Sequence, residues 1–330
     1  MREWLARWLE RIWYGGEPVP LVLAWLERVY AAALALRRSL YRRGWLRSET
    51  LPVPVIVVGN LTAGGTGKTP FVVWLVRELA QRGWRPGVIL RGYRGESGTA
   101  RRVEPEARAD DVGDEAIMIA RATAVPVAVG HRRADAGRLL VPACDVIVSD
   151  DGLQHWAMQR DLEICVVDGE RRHGNGRLLP AGPLREPASR LARVDHVVAN
   201  GAARPGEIAM RVGGTRAVSL ADPTRSVTLE SLRGKVVHAV AGIGNPQRFF
   251  ALLRGFGISV VEHPYSDHHR YTGDELVVPG DDLVLVTEKD AVKCEPFVHA
   301  RVYVVPVEAE LPVELAGQIH ATLHRLKGAR

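Results

Sequence analysis

Apolar residues recur at helical spacing from the start of the chain. Trp4, Leu5, Trp8, Leu9 and Ile12 share one side of a predicted helix, and Arg2, Arg7 and Arg11 fill polar positions between them. A second apolar stretch runs from Pro20 to Leu40, broken near its middle by Glu27 and Arg28. Two adjacent charges argue against a lone membrane span. Early acidic residues, with no small-residue cleavage site after a clean apolar run, argue against a signal peptide. After Pro52 the pattern changes. Runs of β-branched residues predict strands near 53–58, 87–91, 125–129, 145–149 and 163–167, with helices near 69–82, 113–123 and 131–140 between the earlier ones. Such alternation predicts an α/β fold: a mostly parallel sheet with helices on both faces and its ligands at the carboxyl ends of the strands. A second, smaller βαβ-like unit begins near 233, with a strand over 236–240, the turn Gly242-Ile243-Gly244-Asn245-Pro246, a helix through Phe249 and Leu253, and a strand at Val260-Val261. The expected division is therefore 1–50 helical, 51–200 the main core, 201–232 a strand-containing connector and 233–330 a C-terminal α/β domain.

Charge sharpens the reading of the N-terminal segment. Residues 1–47 hold nine Arg and four Glu, a surplus of five positive charges in a chain whose net charge is +6, together with five of its eight Trp. A nucleic-acid enzyme spreads basic charge along its binding face, so nucleic acid is not an expected partner. The segment fits a pair of interfacial helices, Trp and Leu at the headgroup boundary and Arg facing an anionic membrane surface. The same pattern also fits helices packed on the protein's own body. Three cysteines without CxxC spacing indicate neither a disulfide framework nor a zinc site. Only five of the 44 basic residues are Lys, at 68, 235, 289, 293 and 327, so each lysine invites a reason.

Lys68 has one. The first core strand runs into Gly59-Asn60-Leu61-Thr62-Ala63-Gly64-Gly65-Thr66-Gly67-Lys68-Thr69 and then an apolar helix. This is a phosphate-binding loop in its strand-loop-helix setting: backbone N–H groups of Gly64, Gly65, Thr66 and Gly67 face phosphate oxygens, Lys68 reaches the β- and γ-phosphates, and Thr69 is placed to ligate Mg²⁺. The strict pattern wants glycine where this chain has Thr62. Asp150 and Asp151 end the strand near 145–149, where carboxylates hold Mg²⁺ directly or through water, or simply face solvent in a turn. Asp114 and Glu115 open a helix, where acids also complement its dipole. The 242–246 turn lacks a full GxGxxG and reads as a tight turn rather than a second nucleotide site.

Several further strings, taken with the loop and in this order, resemble the tetraacyldisaccharide 4′-kinase family over nearly the whole chain. They are Arg91-Gly92-Tyr93-Arg94-Gly95, Gly113-Asp114-Glu115, Ser149-Asp150-Asp151-Gly152-Leu153-Gln154-His155, the stretch 174–186 from Gly174-Asn175-Gly176-Arg177 to Arg185-Glu186, Asp267-His268-His269, and Thr287-Glu288-Lys289-Asp290-Ala291-Val292-Lys293. The resemblance implies a P-loop kinase core that transfers the γ-phosphoryl of ATP, with Mg²⁺, to the 4′-hydroxyl of a tetraacylated glucosamine disaccharide 1-phosphate. It also implies a peripheral enzyme on the cytoplasmic face of the bacterial inner membrane, acting on an acylated lipid. Asp114 would be the base, paired with His268, and Glu115, Asp150 and Asp151 would surround the metal and phosphates. Asn175, Arg177 and Arg185 are expected against the sugar or its 1-phosphate, unless 174–186 is only a structural loop. Arg91, Tyr93 and Arg94 are expected near the anionic glycolipid.

The rival class is a P-loop GTPase or metallochaperone-like switch. A GTPase would show an [NT]KxD string, but Thr287-Glu288-Lys289-Asp290 has its lysine one place late, and no Cys/His cluster serves a metal cargo. A non-catalytic membrane adaptor would not need the intact loop and acidic clusters.

Overall fold

The computed structural model describes residues 2–92, 99–267, 269–297 and 299–329. Tyr93, Arg94 and His268 lie outside the described residues. Helices α1 (Arg2–Tyr14) and α2 (Leu21–Arg42) precede a core of β1 (Val55–Gly59), α3 (Lys68–Gln81), β2 (Pro86–Leu90), β3 (Arg101–Arg102), α4 (Ala109–Val112), α5 (Asp114–Thr123), β4 (Val127–Val129), α6 (Arg133–Leu140), β5 (Val146–Ser149), β6 (Leu162–Asp168), β7 (His196–Asn200) and β8 (Ile208–Gly213). The chain continues through β9 (Arg216–Ser219), β10 (Ser226–Thr228), β11 (Val236–Ala241), α7 (Pro246–Gly255), β12 (Ser259–Pro264), β13 (Leu283–Thr287), α8 (Glu288–Cys294), β14 (Val302–Val305), β15 (Glu308–Glu310) and α9 (Val313–Ala329).

Among the described residues these strands form two sheets. The larger has the order β15-β8-β7-β6-β1-β5-β2-β4-β3 and the smaller β10-β9-β14-β13-β11-β12. Within the larger, β8 through β4 pair in parallel, and only the edges β15 and β3 run antiparallel. Alternation along β1 explains why helices cover both faces: Ile56 and Val58 pack with Phe71 and Leu75 of α3, whereas Val55 and Val57 pack with Leu140 of α6. Each of these buried side chains stabilises the core by about 1.5–3 kcal/mol.

The pairings divide the chain differently from the sequence expectation. β8, from the expected connector, joins the larger sheet, and so does β15, whose Glu308 lies opposite Gly213. Helix α9 follows it, placing Leu315, Ile319 and Leu323 in the cluster that contains Phe71. The smaller sheet is thus built from 216–305 alone. A three-residue edge strand carries too little pattern to reveal its sheet, and its pairing is fixed by α9, which needs a partner for its apolar face.

The N-terminal helices dock on 174–186. Ile12 and Leu23 bury against Ala181, flanked by Trp8, Leu9 and Trp13. The Trp13 indole N–H donates to the Pro180 carbonyl at 3.0 Å, and Tyr30 donates its hydroxyl to the Arg185 carbonyl at 2.8 Å. Glu27, the acid that interrupts the apolar run, accepts from Arg177 Nε at 2.8 Å and from the Leu178 N–H at 2.9 Å. The opposite surface stays apolar and open: Trp4 is 65%, Leu21 89%, Trp25 62% and Leu36 62% exposed. No helix among the described residues is long and apolar enough to cross a membrane.

Candidate active site

The loop after β1 leaves the sheet at its centre, where β5 lies on one side and β6 on the other. Its early turn departs from the strict pattern for a visible reason. Thr62 forms an antiparallel bridge with Leu184, the Ala63 N–H donates to Pro183 at 2.7 Å, and the Arg185 N–H donates to Leu61 at 2.6 Å. Residues 61–63 are extended and hydrogen-bonded to 183–185, so position 62 needs no glycine. Gly67 does need to be glycine: its φ is +89°, and a Cβ there would lie 2.3 Å from Nδ2 of Asn200. That same Nδ2 donates to the Thr66 carbonyl at 3.1 Å. The Thr66 hydroxyl is buried and has no hydrogen-bond partner among the described residues.

Lys68 opens α3 and reaches Asp151 Oδ1 at 3.4 Å, and Arg185 donates to both carboxylate oxygens of Asp151 at 3.0 Å. Burial works to raise the Asp151 pKa, but Lys68 and Arg185 outweigh it and hold the carboxyl well below its ordinary value. Asp150 is the reverse. Burial and then the nearby Glu115 push its carboxyl up to about 7, against the pull of Lys68. The turn carrying both aspartates is held from beneath by buried Arg133, whose guanidinium donates to Ser149 Oγ at 3.0 Å, to the Asp150 carbonyl, and to the Asp151 carbonyl at 3.3 Å. Beside this turn, burial and then Arg133 push the His155 imidazole down to about 4, leaving it neutral.

Asp114 and Glu115 start α5. Asp114 is buried, 6% exposed, and its Oδ1 accepts the Glu115 N–H at 3.0 Å. Helix α8 of the smaller sheet packs on α5 and brings two lysines: Lys289 Nζ is 3.0 Å from Glu115 Oε1, and Lys293 Nζ is 4.0 Å from Asp114 Oδ2. Lys289 also reaches Asp267 at 3.0 Å. Burial opposes its charge, but Glu115 and Asp267 hold its ammonium above the ordinary lysine value.

The donor set suits a hard divalent cation. Glu115, Asp150 and the Thr69 hydroxyl supply oxygens only, and burial together with the neighbouring Glu115 disfavours the Asp150 charge, which a bound cation would offset. Among the described residues no group of three or more His, Cys, Asp or Glu is arranged to hold a metal unaided. Mg²⁺ does not require one, since it keeps waters and takes phosphate oxygens as ligands.

The remaining predicted residues divide by position. Arg185 faces Asp151, and Arg91 is exposed just after β2, close enough to act on the charges of Arg133 and His155. Asn175 and Arg177 are engaged elsewhere: Asn175 Nδ2 donates to the Ile12 and Ala181 carbonyls at 3.2 and 2.9 Å, and Arg177 pairs with Glu27. Arg133 and Asn200 escape a reading by motif. Lys289 and Lys293 stand in the quoted 287–293 string and among the five lysines, but the sequence alone gives them no role.

A phosphate loop at the centre of a parallel sheet, with buried carboxylates at the neighbouring strand end and helix start, defines a P-loop phosphotransferase. The particular family follows from comparison. The chain belongs to the tetraacyldisaccharide-1-P 4′-kinase family (LpxK), whose profile matches residues 19–324. The tetraacyldisaccharide 4′-kinase of Methylobacillus flagellatus is 48% identical over 330 residues, covering 99% of this chain and 98% of that one. That of Xanthomonas euvesicatoria is 51% identical over 315 residues, 91% of each. A crystal structure of LpxK from Aquifex aeolicus in complex with ATP is 28% identical and superposes with a TM-score of 0.75, covering 90% of this chain and 97% of that one.

Proposed function

We propose that this chain transfers the γ-phosphoryl of ATP to the 4′-hydroxyl of a tetraacylated glucosamine disaccharide 1-phosphate, the lipid A precursor. The observation that carries the reading is the phosphate loop at the centre of the sheet, with Lys68 3.4 Å from Asp151 at the end of the neighbouring strand and buried Asp150 next to it. The backbone of 64–67 and Lys68 bind and orient the triphosphate, and Lys68 screens the charge that builds on the transferring group. Glu115, Asp150 and Thr69 would hold Mg²⁺, which when bound neutralises charge on the β- and γ-phosphates. Asp151, ionised and clasped by Lys68 and Arg185, keeps both cations aimed at the cleft.

A sugar hydroxyl is a weak nucleophile. In this reading Asp114 accepts its proton as the bond to phosphorus forms, and His268 tunes Asp114. Arg91, Tyr93, Arg94 and Arg185 are assigned to the anionic glycolipid. Asn175 and Arg177 act one step back, by fixing 174–186 against α1 and α2.

A tetraacylated disaccharide stays in its bilayer, so the enzyme must come to it. The exposed stripe of Leu21, Val22, Trp25, Val29 and Leu36, with Trp4 and Trp45, supports peripheral insertion of α1 and α2 into an anionic membrane surface. In this reading that surface is the cytoplasmic face of the inner membrane.

The test is nucleotide consumption by the purified protein. ATP, and not GTP, should be turned over only when acylated disaccharide 1-phosphate is supplied. Equal use of GTP, or turnover independent of the lipid, sinks the reading.

A further inference from the structure

Two of the five lysines sit one helical turn apart on α8, Lys289 and Lys293, and both aim at the opening turn of α5. Lys293 is placed by two neighbours. Its ammonium is 2.7 Å from Asp290 Oδ1 and lies over the Tyr271 ring at 5.3 Å. Asp290 is 0% exposed, and its other oxygen accepts the Gly242 N–H at 2.9 Å and the Thr287 hydroxyl at 2.7 Å. A carboxylate that accepts two hydrogen bonds at one oxygen is held in place, and it draws the Lys293 ammonium to its other oxygen. The free direction of that cation faces Asp114 Oδ2 at 4.0 Å.

We propose that Lys293, fixed by Asp290, is a positioning residue for Asp114: it sets which carboxylate oxygen faces the sugar hydroxyl. The geometry divides the labour. Asp114 Oδ1 is held by the Glu115 N–H and Oδ2 is drawn toward Lys293, so rotation of the carboxylate is restrained at both oxygens. Because Lys293 and Asp290 stand on α8, which follows β13 of the smaller sheet, and Asp114 opens α5, which leads to β4 of the larger, the base is oriented only when the two sheets are docked. The same Asp290 anchors the start of the 242–245 turn, which touches the phosphate loop at Gly65. Docking at the nucleotide and orientation of the base are thereby joined through one buried carboxylate.

The proposal rests on Asp114 being the base, and a kinetic cycle separates the two claims. Lys293→Met, Asp114→Asn and the double variant are compared for kcat and for KM of ATP and of the glycolipid. The expected result is a fall in kcat of about tenfold or more for Lys293→Met with both KM values within about threefold, because an orienting contact is felt mainly in the transition state. In the Asp114→Asn background the same substitution should change kcat by less than about twofold, since residues acting as a unit are non-additive. Lys293→Arg, which keeps a cation between Asp290 and Asp114, should recover part of the loss. A wild-type kcat, an equal loss in both backgrounds, or a loss confined to KM overturns the positioning role. Wild-type turnover by Asp114→Asn instead removes the base assignment and the proposal with it. If the methionine variant fails to bind ATP, the cycle is run with Lys293→Gln, which keeps a polar end on a side chain one bond shorter.

Discussion

The backbone of Gly244 rests on the backbone of Gly65: a Cβ on Gly244 would lie 2.5 Å from the Gly65 amide nitrogen. The turn between β11 and α7, which motif reasoning gives no nucleotide role, is thus seated on the phosphate loop. Gly244→Ala must push the turn away from the loop, because the atom it meets is backbone and cannot rotate aside. Overpacking of this kind costs about 1–3 kcal/mol, and the cost should fall on the docked arrangement. The expected outcome is a loss of about tenfold or more in kcat/KM for ATP at nearly unchanged melting temperature. Equal kinetics in the folded variant would show that the two sheets need not touch during turnover.

Lys68→Ala should abolish transfer and leave the fold intact. Removing a cation aimed at developing phosphoryl charge costs about 3 kcal/mol or more, a factor of at least about 10² in kcat. Asp151 keeps Arg185 as a partner, so the strand end does not acquire an unpaired buried charge. Circular dichroism and single-turnover assay together check this. A folded variant with near-normal turnover removes the loop from the mechanism.

Glu27→Gln should loosen the N-terminal helices from the body. The side chain is only 16% exposed, and its loss of charge weakens both the pair with Arg177 and the bond from the Leu178 N–H. The expected cost is about 1–3 kcal/mol, felt locally. Limited proteolysis should cut between α2 and β1 faster than in the wild type, while ATP affinity holds. Unchanged proteolysis would place the anchor in Trp13 and Tyr30 instead.

Much of the core is legible in the chain. The predicted strands and helices of 51–200 coincide with β1, β2, β4, β5 and β6 and with α3, α5 and α6 to within a few residues, because β-branched runs bounded by glycine leave little choice. The β15 return is not legible, since three residues of an edge strand have no period. For the site, the loop announces itself by spacing, whereas Arg133 does not: it reads as one arginine among many, and its role exists only because α6 lies under the β5 turn. The tryptophans show the same limit. Five stand close in sequence, yet Trp8 and Trp13 pack around Ile12, and it is Trp4, Trp25 and Trp45 that face outward.

That split defines the membrane experiment. Vesicles containing anionic lipid should retain the intact protein, only partly released by high salt and fully by detergent. Serine at Leu21, Trp25 and Leu36 should weaken retention at high salt, whereas glutamine at Arg42, Arg43 and Arg47 should weaken it mainly at low salt, each basic residue near the surface contributing about 1 kcal/mol. Activity on a short-chain soluble substrate should survive both sets. Retention unchanged by the serine set would assign the exposed stripe to another contact.

The chain enters the smaller sheet after β8 and leaves it just before β15, and the two passages run side by side: Gly214 lies against the Pro306 carbonyl, and β8 pairs with β15 immediately beyond. The 216–305 unit is therefore an insertion, attached like a door on paired straps rather than like a bead on a string. Two side-by-side straps favour bending about one axis over swivelling about the others. A unit tied in this way has fewer ways to sit against the larger sheet than one on a single tether, which favours one placement of Lys293 beside Asp114.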